Sequence, residues 1–138
     1  MTPRRWDGSK LINVPDYMAF GYWTVTLGAN LTRSYPLNSN SPQTVESYAQ
    51  NLSMKGTYVK ILLYVQVNSL DGNAVFVLRK NSQDTALSIT VPAGASGNFS
   101  AEGDMSATES DLVDFQIRTG GAGGTARFAP VLLFRKGE

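Results

Sequence analysis

The sequence predicts an all-β fold, an antiparallel β-sandwich of jelly-roll type with an extended N-terminal arm. Three observations carry this expectation. From residue 20 onward, seven or eight runs alternate apolar and polar residues with a period of two. Turn residues punctuate them at short spacing, as in "LRKNSQDTALSITVPAGASGNFS" (78 to 100). Helical stretches that would link parallel strands are absent, so the sheet pairing is antiparallel and helix content should fall under about 10%.

The elements follow in order. Residues 1–19, with Arg4, Arg5, Trp6, Lys10 and two prolines, lack alternation and read as an arm reaching on the order of 60 Å when extended. It either lies on its own domain or straps onto a neighbour. "FGYWTVTLG" (20 to 28) is a strand of β-favouring residues. Residues 29–43 form a long polar loop broken by Pro36 and Pro42, and 44–56 read as a strand, with a short helix as the alternative. "TYVKILLYVQVN" (57 to 68) is apolar on both faces in its middle and is expected at the centre of the sandwich.

Asp71-Gly72 predicts a type I′ hairpin, because that turn requires positive φ at both central residues. The return strand spans 74–81, "SQDT" turns, and 86–94 is a strand that Pro92 ends for want of an N–H donor. Residues 97–104 read as a short strand or a bulged edge. Strand 111–120, a glycine-rich turn and strand 127–137, with Pro130 at a bulge, complete a domain over 20–138. The expected core is Val59, Ile61, Leu63, Val65, Val75, Val77, Leu87, Ile89, Val91, Phe115, Ile117, Leu132 and Phe134.

Composition narrows function. The 138 residues suit one domain of radius about 14 Å. A hydrophobic content of 42% argues against disorder, and only 17% charged residues suits a protein that covers part of its surface with partners. Twelve basic against eleven acidic side chains is too even for nucleic acid to be the partner. The first residues lack the apolar region of a secretory or twin-arginine signal, and "VKILLYVQV" (59 to 67) is too short to span a bilayer. No membrane partner is expected, and the three Asn-x-Ser/Thr triplets at Asn30, Asn51 and Asn98 read as chance.

The chain contains neither histidine nor cysteine. Ser-His and Cys-His nucleophile pairs and His/Cys zinc sites are therefore impossible. Glu102, Asp104, Glu109, Asp111 and Asp114 form an acidic stretch, read as a solvated loop with a calcium site as the alternative. "TGGAGGTA" (119 to 126) runs into a strand and lacks the lysine of a phosphate-binding loop. No enzyme, cofactor or metal is expected. Partner-binding candidates are Arg4, Arg5, Trp6, Tyr17 and Tyr35, the aromatics serving as pocket-filling anchors or as planes for a sugar.

"FVLRKNSQDTALSITVPAGASGNFS", followed by an acidic loop and "DLVDFQIRTGGAGG", resembles jelly-roll structural proteins of tailed-phage particles, which are similar to the tumour-necrosis-factor and C1q folds. The likeness covers about residues 57–136 and departs from the pattern where Ser82 and Gln83 stand in place of a glycine turn. It implies a homotrimeric capsid decoration (cement) protein, made in the host cytoplasm, that sits on the virion surface and binds the major capsid protein or other virion subunits. The alternative it implies is a receptor- or carbohydrate-binding head of a tail fibre. It transfers no catalytic residue.

Overall fold

A computed structural model describes residues 17–137 in full, together with the backbone of Arg4–Trp6 and Leu11–Asn13. The described residues form twelve strands and a three-residue 3-10 turn at Glu46–Tyr48. The strands are β1 (Arg4–Trp6), β2 (Leu11–Asn13), β3 (Tyr17–Gly21), β4 (Val25–Gly28), β5 (Leu31–Tyr35) and β6 (Asn51–Leu52). They continue with β7 (Gly56–Asn68), β8 (Ala74–Lys80), β9 (Gln83–Val91), β10 (Gly97–Ala107), β11 (Leu112–Thr119) and β12 (Thr125–Lys136).

Two antiparallel five-stranded sheets make the sandwich. The first runs β10-β7-β12-β3, with β4 also pairing β12; the second runs β5-β11-β8-β9, with β6 also pairing β11. With β3/β4 and β5/β6 each counted as one interrupted strand, this is the eight-strand order of a jelly roll. Inner faces supply the core. Tyr58, Ile61, Leu63, Val65, Phe128, Leu132 and Phe134 from the first sheet meet Phe76, Leu78, Leu87, Val113, Phe115 and Ile117 from the second. Aromatic pairs such as Tyr58–Phe134, with centroids 4.6 Å apart, fill the space between them.

The predicted β-sandwich of jelly-roll type is the observed one, with several local corrections. β3 begins at Tyr17 and pairs Arg135 of β12, so residues 17–19 belong to the sheet and not to the arm. β1 and β2 pair with each other, Trp6 opposite Leu11. The strand expected over 20–28 is split at residues 22–24, and the polar loop expected over 29–43 contains β5. The strand preferred over 44–56 is instead the 3-10 turn followed by the two-residue β6. Val59 and Val75 are half-buried, whereas the other eleven expected core residues are buried.

The turns explain the remaining differences. β7 and β8 lie in different sheets, so the loop holding Asp71 and Gly72 crosses between layers and no two-residue hairpin can form there. Gly72 is needed for close approach: a Cβ would collide with the backbone of Gly120 and Gly121. The I′ geometry occurs at Asn81 and Ser82, with φ of 51° and 63°, joining β8 to β9 inside one sheet. β10 is a long edge strand with a bulge between Glu102 and Met105, as the bulged-edge alternative had it. Pro130 sits at neither register shift of β12. Its carbonyl accepts from Tyr22 N at 3.0 Å, so its absent N–H points into the gap between β3 and β4, where no ladder bond is lost.

Candidate functional site

β7 is central within its sheet, yet among the described residues only one of its faces is covered. Tyr58, Ile61, Leu63 and Val65 point inward, and Leu62 and Tyr64 point outward, 47% and 49% exposed. Register places Val131 of β12 beside Leu62, and Ala129 beside Tyr64. Leu133 and, across it on β3, Ala19 extend the strip. The outer face of an antiparallel sheet is ordinarily polar. Here a continuous apolar strip crosses it.

Charge borders the strip. Lys60 of β7 meets Glu102 of β10, its cross-strand partner, at 3.2 Å. An open concavity of about 620 Å³ lies over this corner, lined by Tyr17, Lys60, Glu102, Asp104, Leu133 and Arg135 among others. The β10 side contributes carboxylates and the β12 side a guanidinium. A surface with both signs flanking an apolar centre fits a protein or polar-ligand partner with complementary edges.

The outer face of the second sheet is polar and tightly bonded. Arg79 of β8 donates to Glu46 through Nε (2.8 Å) and Nη2 (3.0 Å), and to Asp84 of β9 through Nη1 (2.6 Å). Arg118 of β11 donates to both Asp84 oxygens, its Nη1 to Oδ2 at 3.0 Å. Arg118 Nε also donates to Gln116 Oε1 at 2.6 Å. Hydrogen bonds from Arg118 and then Arg79 hold the Asp84 carboxyl down to about 2, and the Arg79 hydrogen bonds hold Glu46 below its ordinary range.

Asp114 is the exception in this network. It stands opposite Arg79 in the β11–β8 register, is fully buried, and neither carboxyl oxygen accepts a hydrogen bond among the described residues. Burial, and then the neighbouring Glu46 carboxyl, push it up to about 8. Arg79 and the Ser34 hydroxyl pull the other way without prevailing.

The predicted contact residues separate. Tyr17 lies on the concavity, half exposed. Tyr35, expected at a contact surface, is instead 0% exposed and stacked on Trp23 with centroids 5.1 Å apart. The last residue of β5 points into the core, and burial pushes its phenol up to about 12. The side chains of Arg4, Arg5 and Trp6 lie outside the described residues. The acidic stretch is dispersed. Glu102 and Asp104 edge the concavity, Asp114 is buried, and Asp111 accepts from Thr108 N (2.8 Å) and Asn81 Nδ2 (2.9 Å). Among the described residues no three acidic side chains gather to hold a metal ion. The glycine-rich turn receives the Asp71 carboxylate, which accepts from Ala122 N at 2.7 Å and Gly123 N at 3.2 Å.

Sequence reasoning missed Leu62, Tyr64 and Lys60. Their signal was the unbroken apolar run "ILLYV" (61 to 65), which reads as a strand covered on both sides, whereas the described residues cover it on one and leave Leu62 and Tyr64 half exposed on the other. It also missed the Glu46–Arg79–Asp84–Arg118 network, because four residues on four elements leave no local spacing.

No protein-family model and no curated protein matches the chain. Similar solved structures exist. A CBM36-1 domain of a multidomain xylanase from the hindgut metagenome of Trinervitermes trinervoides superposes with a TM-score of 0.51 at 10% identity, over 89% of this chain and 100% of that one. A pilus protein of Bacillus endospore appendages gives 0.46 at 12% identity, over 91% and 93%. The CBM22-1-GH10 modules of a Clostridium thermocellum xylanase, complexed with xylohexaose, give 0.40 at 17% identity, over 88% of this chain and 26% of that one. The first likeness establishes a shared β-sandwich fold and nothing finer.

Proposed function

We propose that this protein is a structural module that builds an assembly through the outward face of its first sheet, packing against copies of itself on the surface of a phage particle as a capsid decoration protein. The observation that carries the reading is the apolar strip of Leu62, Tyr64, Val131 and Leu133 on a face that water would otherwise cover. The β10 carboxylates on one border and Arg135 on the other suit a contact between copies, because each edge can meet its complement on a neighbour. The phage setting, the trimer and the capsid partner rest on the likeness of residues 57–136 to tailed-phage jelly-roll proteins. Arg4, Arg5 and Trp6 would add a strap from each copy, so that several weak contacts act together.

Sedimentation tests the reading. The wild-type protein should run as a trimer at tens of micromolar (order of magnitude for a specific interface of moderate affinity), and Leu62→Lys should run as a folded monomer. A wild-type monomer that also fails to bind undecorated shells overturns it.

A second reading is a receptor- or carbohydrate-binding head, favoured by one observation: half-exposed Tyr17 beside a concavity of about 620 Å³ with charged walls. A module with this fold in a xylanase makes the fold compatible with that role. Saturable glycan-array binding that is lost in Tyr17→Ala would replace the assembly reading.

A further inference from the structure

The buried Asp114 carboxyl calls for an explanation, since a buried polar group without a partner is rare in a folded protein. The groups facing it come from every element packed there: Glu46 from the 3-10 turn, Arg79 from β8, the Ser34 hydroxyl from β5, and, through Arg79, Asp84 from β9 and Arg118 from β11. Glu46, Asp84 and Asp114 are three carboxyls, and Arg79 and Arg118 are two guanidiniums. Full ionisation leaves one negative charge uncompensated, and it falls on the one group sealed from water. Both guanidiniums are already committed to Glu46 and Asp84.

We propose that Glu46 and Asp114 share one proton, and that loss of this proton releases the 44–50 segment and its exposed Tyr48 from the second sheet. With the proton on Asp114, its O–H donates to the Glu46 carboxylate, which satisfies the buried acid and leaves Glu46 bonded to Arg79. Removing the proton places two carboxylates against each other in a dry site, where like charges cannot both be held. Glu46 is the member that can leave. It sits on a single 3-10 turn held by two internal bonds, Tyr48 N to Val45 O (3.1 Å) and Ala49 N to Glu46 O (2.8 Å), whereas Asp114 lies in a strand paired on both sides. The segment is also tied to the β8–β9 turn, where the Gln50 side chain donates to Ser82 Oγ at 2.9 Å. Tyr48, 73% exposed, rides on this turn, so its presentation to a partner would follow pH.

The test combines carboxyl-carbon NMR titration with amide hydrogen exchange of the full chain from about pH 6 to about pH 9, the range around the raised value. Asp114 should titrate well above the ordinary carboxylate range. Protection factors of the Tyr48 and Ala49 amides should fall at least about ten-fold across that range. Asp114→Asn, which keeps the shape and cannot ionise, should hold those factors constant, and Glu46→Gln should move the Asp114 midpoint to lower pH. An Asp114 carboxyl titrating near its ordinary value, or an equal fall in protection in Asp114→Asn, overturns the proposal.

Discussion

Leu62 and Leu63 are neighbours in β7 that point to opposite faces of the sheet: Leu62 looks outward beside Val131 at 47% exposure, and Leu63 looks into the core at 1%. Truncation should separate them cleanly. Leu63→Ala removes methyl groups from a packed interior and should cost about 2–5 kcal/mol. Leu62→Ala leaves no internal cavity, and should cost under about 1 kcal/mol in the monomer. Urea denaturation of both variants checks this, and similar losses would mean the outer face is sealed within the monomer.

Arg79→Ala should be among the most damaging polar substitutions. It strips Glu46 of both its hydrogen bonds from Arg79 and Asp84 of one, at a position where the Arg79 and Glu46 side chains are only 17% and 18% exposed. A loss of about 2–4 kcal/mol at neutral pH is expected from leaving carboxylates beside a buried acid. A loss below about 1 kcal/mol by denaturant titration would show that water replaces the guanidinium freely.

Stability should fall on both sides of a mildly acidic optimum. Asp84 is held down to about 2, so its contribution is present above the ordinary aspartate value and is lost as pH drops toward 2. Asp114 is pushed up to about 8, so between its ordinary value and 8 the folded state binds more protons than the unfolded one, and stability declines as pH rises. Calorimetric melting should therefore give a higher Tm near about pH 5 than near about pH 8, with Asp114→Asn removing most of that difference. An unchanged slope in the variant would assign the decline to other groups.

Ser82→Gly should stabilise the protein. Ser82 occupies the second central position of the β8–β9 turn at φ 63°, where a side chain is strained and glycine is not. The gain expected is about 0.5–1 kcal/mol, offset in part by loss of the Gln50–Ser82 hydrogen bond. Thermal unfolding of the single variant measures it, and a lower Tm would mean that bond outweighs the turn strain.

Strand content and class were legible because period-two alternation is local: the run from Ile61 to Val65, the alternation around Phe115 and the break at Pro92 each report on their own neighbours. Asp71-Gly72 misled because a hairpin signal is also what a tight crossing between sheets needs, and only the partner strand distinguishes them. Tyr35 misled for a related reason. Its segment is polar, yet its position as the inward end of β5 sets its exposure.

The sequence by itself therefore determined the β class, most of the extended segments from residue 57 onward, and that these 138 residues offer no histidine or cysteine chemistry. Tertiary structure alone decided which apolar face stays open and which carboxyl is buried. Alternation says that a strand has two faces and does not say which will find a second sheet. Leu62 and Leu63 are the same side chain one residue apart, and only the packing of β7 against the second sheet separates core from contact surface. Asp114 likewise reads as an outward polar position of β11 until the Glu46 turn folds over it, and its proton affinity belongs to that long-range closure.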